Sequence, residues 1–193
     1  NLGSYNMESR NDAYFWRGES YYRKGEYKQA ISDYRTYLNN TRQRNTDMYA
    51  LAHYNLGYCY FKLKEYGEAE NRFRQYINLE SSQQAPALAD AYNRVGDCLY
   101  QKRQFTQAEE NYSRAAQLQP SAGDYSVYQK GFLLGLQKDY RGKISAMDRL
   151  IRDYPESQYV DDALFEKGRS FHIFFSPNIH LSLSFFQSIQ PIV

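Results

Sequence analysis

Apolar and polar residues alternate along this chain in a frame that predicts pairs of helices. Between Met48 and Leu63, apolar residues cover almost every face of a helix, and such a helix must pack on several sides. The next segment, Tyr66 to Asn78, carries one apolar stripe at helical spacing. The pattern therefore predicts two antiparallel helices joined by a short turn around Lys64.

A glycine lies inside the first helix of this pair, where it costs about 1 kcal/mol relative to alanine. We expect close approach of the second helix to offset this cost, because glycine has no side chain to hold a partner away. Ala69 is small enough to face Gly57 across the pair. The same frame of glycine, aromatic residue and alanine occurs three times, at Gly18, Tyr27 and Ala30, at Gly57, Tyr66 and Ala69, and at Gly96, Phe105 and Ala108. A frame that recurs at this interval is typical of a solenoid of helical hairpins.

The recurring frame resembles the tetratricopeptide repeat family. In the second repeat, counted from Ala50, the characteristic positions of the family are occupied by Leu56, Gly57, Tyr60, Ala69 and Phe73. The resemblance covers roughly residues 11–171. It implies an all-α fold, a right-handed superhelical solenoid of antiparallel helix pairs.

We expect a single solenoid over residues 1–193. Its repeats are predicted at about 11–44, 50–83, 89–122 and 124–157, with a half repeat at 161–171 and an atypical apolar tail at 172–193. The tail contains no Asp, Glu, Lys or Arg, so it is either a hydrophobic cap or docking strand, or a terminus foreign to the fold. The abrupt change of composition favours the second interpretation. Because the first residue is Asn1 rather than Met, we expect a processed product or a fragment.

The fourth repeat departs from the frame. Lys143 stands where the other repeats have Ala30, Ala69 and Ala108. A lysine at this position must extend past the first helix towards solvent or push the two helices apart. We expect the solenoid to bend at this repeat.

In the tetratricopeptide repeat family, four positions of each first helix line a concave surface, and their spacing places them on one helical face. The resemblance implies that the ligand-binding strip of this chain consists of Asp12, Phe15, Glu19, Tyr22, Tyr54, Tyr58, Phe61, Asp90, Asn93, Asp97, Tyr100, Tyr128 and Phe132. This strip is aromatic and acidic, so we expect an extended peptide or protein partner that is apolar or basic. The alternative is that Tyr54, Tyr58 and Phe61 merely fill a tightly wound superhelix.

Composition disfavours several other kinds of partner. The formal net charge of +2 gives no support for nucleic-acid binding, and no apolar run reaches the length of about 18 residues that a membrane span needs. Cys59 and Cys98 occupy equivalent positions of neighbouring repeats, about 8–10 Å apart by helix packing, which exceeds the disulfide reach of about 7 Å. We therefore expect two buried free thiols. With His53, His172 and His180 they form no metal-ligand spacing, so we predict no metal and no cofactor.

The sequence favours a non-enzymatic scaffold for protein–protein interaction. It has no nucleophile–base pair, no phosphate-binding glycine loop and no metal set, and this disfavours an enzyme. A glycan-binding module is the alternative, in which tyrosine rings stack on sugars while Asp12, Asp90, Asn93 and Asp97 bind hydroxyl groups. A glycan site would gather its aromatic residues around one pocket, whereas a peptide groove would continue across repeats.

The segment from Arg149 to Gly168 resembles repeats of bacterial envelope proteins, namely outer-membrane-assembly lipoproteins and the periplasmic coordinators of the Tol–Pal system. This resemblance implies a role in an envelope assembly and a periplasmic or outer-membrane-associated location. A cytoplasmic location is the alternative.

Overall fold

The structure is a computed structural model that describes residues 2–80 and 86–175 of the chain. These residues form α-helices and one short 3-10 helix and contain no strand, which confirms the all-α prediction. The helices are α1 (Leu2–Arg23), α2 (Tyr27–Asn40), α3 (Asp47–Lys62), α4 (Tyr66–Leu79), α5 (Pro86–Gln101), α6 (Phe105–Leu118), α7 (Asp124–Leu136), α8 (Tyr140–Asp153) and α9 (Val160–Phe175), and the 3-10 helix covers Pro120–Ala122.

The chain divides into two compact units, Asn1–Ser126 and Val127–Val193. Unit 1 contains the helix pairs α1/α2, α3/α4 and α5/α6. Within it, α2 packs against α3 and α4 packs against α5, so that successive pairs stack. Unit 2 contains α8 packed against α9, together with the larger part of α7.

The two helices of each pair are joined by a turn of the same geometry. In every turn one residue adopts the left-handed conformation, which only glycine adopts freely. In unit 1 these residues are Gly25 (φ 77), Lys64 (φ 62) and Arg103 (φ 60), and in unit 2 the residue is Lys138 (φ 65). Because the turns share this geometry, the end of the first helix and the start of the second have the same spacing in each pair.

The glycines of the first helices of unit 1 lie at helix contacts, as predicted, but Ala69 is not the residue that faces Gly57. A Cβ atom on Gly57 would lie 2.9 Å from the ring of Phe73. A ring laid over the glycine backbone fills more space than a methyl group would, which explains why the aromatic residue takes this place. The equivalent contacts join Gly18 to Tyr34 at 3.1 Å and Gly96 to Tyr112 at 2.7 Å.

Lys143 is buried in unit 2, so the prediction that it reaches solvent or separates the helices is wrong. Its alkyl chain lies over Gly135, where a Cβ atom would approach the lysine Cδ to 2.7 Å. Its ammonium group forms an ion pair with Glu166 of α9. The missing side chain at Gly135 supplies the space, and Glu166 supplies the opposite charge.

Both ends of the helical part extend further than expected. The first repeat was predicted to begin at about residue 11, whereas α1 already begins at Leu2, in a stretch without proline. Helix α9 continues to Phe175, beyond the predicted end of the half repeat at residue 171. The helix contact predicted at Gly168 is wrong, because among the described residues nothing lies within 4 Å of a Cβ placed there. The remaining tail, predicted to be a cap, a docking strand or a terminus foreign to the fold, lies outside the described residues.

Both cysteines are buried and free, which confirms the prediction for Cys59 and Cys98. Burial raises the pKa of each thiol to about 12, so both stay protonated at neutral pH. None of the helices that the structure describes combines the length and the apolar character needed to cross a membrane.

Candidate functional site

Four half-buried aromatic side chains of the predicted strip lie on α1 and α3 of unit 1, and we call them the aromatic strip: Tyr22, Tyr54, Tyr58 and Phe61. The ring centroids of Tyr54 and Tyr58 are 5.1 Å apart, and those of Tyr22 and Tyr58 are 6.5 Å apart. The strip therefore continues from one repeat to the next instead of closing into a pocket.

Two tyrosine hydroxyls of the strip are anchored by one carboxylate of α5. The Tyr54 hydroxyl donates a hydrogen bond to Asp90 Oδ2 at 2.7 Å, and the Tyr58 hydroxyl donates to the same oxygen. Burial raises the pKa of both tyrosines, and the nearby charge of Asp90 raises it further, so both stay donors. The rings of α3 are thus held in place by the next repeat.

Asp97 lies in the interior and accepts hydrogen bonds from two further tyrosines. Its Oδ1 atom lies 2.7 Å from the Tyr112 hydroxyl and 2.6 Å from the Tyr125 hydroxyl. Burial raises the pKa of Asp97, while Arg94 and the two hydroxyl groups act in the opposite direction. This carboxylate, predicted to line a ligand surface, therefore serves contacts inside unit 1.

Arg94 connects the two carboxylates, and the sequence reasoning missed it. Its Nη1 atom lies 2.6 Å from Asp97 Oδ2, and its Nε atom lies 3.4 Å from Asp90 Oδ1. The guanidinium group also lies over the rings of Phe61 and Tyr125, at 5.9 and 5.1 Å from their centroids. Burial by itself lowers the pKa of Arg94, but attraction to Asp97 outweighs it, so the group stays charged. Arg94 neutralises much of the predicted acidity of this region.

Glu19 has a similar internal role in the first repeat. Its Oε2 atom accepts hydrogen bonds from the Tyr34 hydroxyl at 3.0 Å and from Asn55 Nδ2 at 3.2 Å, and its Oε1 atom pairs with Arg23. In the first and third repeats, the ring on the glycine is a tyrosine and a carboxylate receives its hydroxyl group. In the second repeat the ring is that of Phe73, and Tyr58 stands at the carboxylate position. At this position of the first helix, a carboxylate is present only in the repeats of unit 1 whose packed ring carries a hydroxyl group. This is expected if the carboxylate serves to bind that buried hydroxyl group.

The other predicted residues of unit 1 differ in exposure. Phe15 is interior, with 4% of its surface exposed, and packs edge-on against Tyr34 and Tyr37. Asp12 and Tyr100 are half-buried. Asn93 is also half-buried, and its side-chain oxygen accepts a hydrogen bond from the hydroxyl group of Ser126.

In unit 2, Tyr128 and Phe132 take part in local contacts. Tyr128 stacks on Tyr159 at a centroid distance of 5.0 Å, and burial followed by the charge of Asp162 raises its pKa to about 12. The ring of Phe132 lies 6.0 Å from the ammonium group of Lys143. Among residues 2–80 and 86–175, no group of three His, Cys, Asp or Glu side chains is placed to hold a metal ion.

Family models described as "Tetratricopeptide repeat" match this chain over residues 9–79, 89–122 and 125–157, which together make up more than half of it. No curated protein sequence matches the chain.

Solved structures share the fold. MamA is 18% identical, with a TM-score of 0.70 and coverage of 82% of this chain and 84% of MamA. YrrB, described as a protein with an unusual peptide-binding site, is 19% identical, with a TM-score of 0.68 and coverage of 89% and 80%. A putative kinesin light chain of Podosopora anserina is 11% identical, with a TM-score of 0.68 and coverage of 87% and 88%. At these identities the likeness shows the fold alone.

Proposed function

Because this chain belongs to the tetratricopeptide repeat family, we propose that it is a non-enzymatic scaffold that binds an extended peptide or a partner protein on the aromatic strip of unit 1. The continuity of the strip carries this proposal. Half-buried rings from α1 and α3 meet across two repeats, with Tyr54 and Tyr58 fixed by Asp90. Aromatic side chains that are held in place before binding lose little entropy when a partner packs on them.

Apolar side chains are the main contact that we propose for the partner. The predicted preference for basic groups has less support, since Glu19, Asp90 and Asp97 already bind groups of the protein. Of these three carboxylates, Asp90 keeps the largest exposed fraction of its side chain, 34%, and is the one that a basic group is best able to approach.

A glycan is less well supported than a peptide. Two of the three carboxylates that were expected to bind sugar hydroxyl groups, Asp90 and Asp97, accept hydrogen bonds from tyrosine hydroxyl groups of the protein instead. The aromatic rings also form a row rather than a ring around one pocket.

Selection from a random peptide library on the immobilised protein tests the proposed function. We expect enriched peptides with apolar side chains. The double change Tyr54→Ala and Tyr58→Ala should weaken their binding by about 2 kcal/mol or more, which is the scale of interface hot spots. The matched control, Tyr54→Phe with Tyr58→Phe, keeps both rings and should retain most of the affinity. Equal binding by wild type and the alanine variant would place the contact elsewhere.

We further propose a role in a bacterial envelope assembly, at the periplasm or the outer membrane. The support is the resemblance of the segment from Arg149 to Gly168 to repeats of envelope proteins. Fractionation of the source cells with an antibody against this chain tests the location. Recovery in the cytoplasmic fraction alone would exclude it.

A further inference from the structure

The three turns of unit 1 are rich in positive charge. We call the segments 23–26, 62–65 and 102–104 together the turn edge. Its basic residues are Arg23, Lys24, Lys62, Lys64, Lys102 and Arg103, and its carboxylates are Glu26 and Glu65. The excess of basic residues is larger than the net charge of +2 for the whole chain, so positive charge is concentrated at these turns.

Most of these cations are not neutralised by neighbours. Arg23 pairs with Glu19, and Lys102 pairs with Glu70 at 2.9 Å. The other four, Lys24, Lys62, Lys64 and Arg103, are exposed and form no ion pair within the part of the chain that the structure describes. They are therefore available to an acidic partner.

An aromatic pair lies beside each turn. The rings of each pair, which flank the turn in sequence, are half-buried and lie 5.6 to 6.0 Å apart. The residue in the left-handed conformation donates its backbone N–H to the carbonyl of the first aromatic residue, at 2.9 Å in all three turns. The pairs are Tyr22 with Tyr27, Phe61 with Tyr66, and Tyr100 with Phe105. Each turn thus presents the same combination of an apolar pair and adjacent positive charge.

Two cations occupy the position in the turn for which glycine is best suited. Lys64 and Arg103 have φ values of 62 and 60, whereas the first repeat has Gly25 there. A side chain in this conformation is strained. Favourable interaction with the helix dipole does not require this position, because a cation in the last helical turn, such as Lys62, also provides it. The side chains of Lys64 and Arg103 therefore lower local stability through backbone strain, and the helix dipole does not require a cation at this position.

We infer that the turn edge of unit 1 binds an extended acidic segment of a partner protein, with its carboxylates on the cations and its apolar side chains on the aromatic pairs. Packed helices lie about 8–10 Å apart, and an extended chain advances about 3.3 Å per residue. A segment with an acidic residue at about every third position matches this spacing. The aromatic pairs share Tyr22 and Phe61 with the aromatic strip, but the cations of the turn edge lie outside the strip, and the inference stands whether or not Tyr54 and Tyr58 bind a partner.

Fluorescence anisotropy with three labelled probes and the full chain tests this inference. The probes are a peptide of about 12 residues with Glu at every third position and Leu and Ser between, the same peptide with Lys in place of Glu, and a thymidine oligonucleotide of similar length. We expect the Glu peptide to bind at least about tenfold more tightly than the Lys peptide, and less tightly as salt is added. No binding of the Glu peptide, or preference for the Lys peptide or the oligonucleotide, would overturn the inference.

A pair of variants separates the effect of charge from that of folding. Lys64→Gly with Arg103→Gly should raise the melting temperature, because glycine relieves the left-handed strain, and should weaken binding of the Glu peptide at least about tenfold. The charge-matched control, Arg35→Gln with Arg44→Gln, removes two exposed cations outside the turn edge and should change this binding less than about threefold.

Two results from these variants would refute the turn edge as the site. One is unchanged binding by the glycine variant, and the other is an equal loss in the charge-matched control. The alanine variant of Tyr54 and Tyr58 should still bind the Glu peptide, so failure of one surface is distinguishable from failure of the other.

Discussion

One buried position of the repeat holds an apolar side chain in unit 1 and a charged side chain in unit 2. It is occupied by Ala69 in the second repeat and by Lys143 in the fourth. In the second repeat, Ala69 is fully buried and the ring of Phe73 covers Gly57. In the fourth repeat, Lys143 takes the place of Ala69 and forms a buried ion pair with Glu166. The same position of the repeat can therefore hold an apolar or a charged side chain. The charged one requires the space at Gly135 and the countercharge of Glu166.

The charged contact should be the more fragile of the two. Glu166→Gln leaves the ammonium group of Lys143 buried without a countercharge, and we expect a loss of about 3–5 kcal/mol of unfolding free energy. Lys143→Met should cost less, because Arg169 lies 2.9 Å from Glu166 Oε1 and continues to balance the carboxylate. Chemical denaturation, with hydrogen exchange of the α9 amides, measures both effects.

A double variant is the control for this prediction. Lys143→Met combined with Glu166→Leu removes both charges and should recover much of the loss. Equal losses in both single variants without recovery in the double variant would show that packing, rather than charge, controls this contact.

Unit 1 also buries a titratable side chain, His53, but this one is uncharged, unlike Lys143 and Glu166 of unit 2. Burial lowers its pKa to about 4, and the nearby charge of Arg72 contributes. The histidine is therefore neutral in the folded state at neutral pH. In the unfolded chain its pKa is about 6.5, so it is protonated there at a higher pH. Stability should fall as the pH drops from about 6.5 to about 4, by up to about 3 kcal/mol. Denaturation at a series of pH values measures this slope, and His53→Gln should remove most of it. A variant with the same slope as wild type would assign the effect to other groups.

The contact between Gly57 and Phe73 should tolerate no larger side chain. A Cβ atom at Gly57 would already lie 2.9 Å from the ring, so Gly57→Leu should cost more than about 2 kcal/mol through overpacking. Gly67, near the start of α4, is the matched control, since nothing lies within 4 Å of its added Cβ. There Gly67→Ala should be neutral or stabilise the protein by up to about 1 kcal/mol. Thermal melts of the two variants give the comparison, and an unchanged melting temperature for Gly57→Leu would argue against the close contact.

Much of the fold could be predicted because it depends on local signals. The frame around Gly57 and the short turn at Lys64 predict the helix pair from neighbouring residues alone. The residue that packs on Gly57 could not be predicted. The repeat period places both Ala69 and Phe73 on the face of α4 that packs on α3, but it does not indicate which of the two covers the glycine. The burial of Lys143 depends on Gly135 and Glu166, and each of these residues is unremarkable by itself.

The candidate site was harder to predict than the fold. The family positions identified Tyr54 and Tyr58, which do lie on a half-buried strip, but they also included Phe15, which is interior. Arg94 lies outside those positions, although its spacing of four from Asp90 and three from Asp97 along one helix was a usable signal. Exposure depends on contacts between repeats, and the sequence of one repeat does not contain them.

Photo-crosslinking on α3 tests the aromatic strip as the binding surface. Leu51 is exposed and precedes Tyr54 by one helical turn on the same face, so a photoreactive amino acid placed there leaves the strip intact. The control carries the same group at the exposed Arg35 of α2. With a peptide selected on the wild-type protein, we expect crosslinks from position 51 and few from position 35. Crosslinks from position 35 alone would contradict binding on the strip.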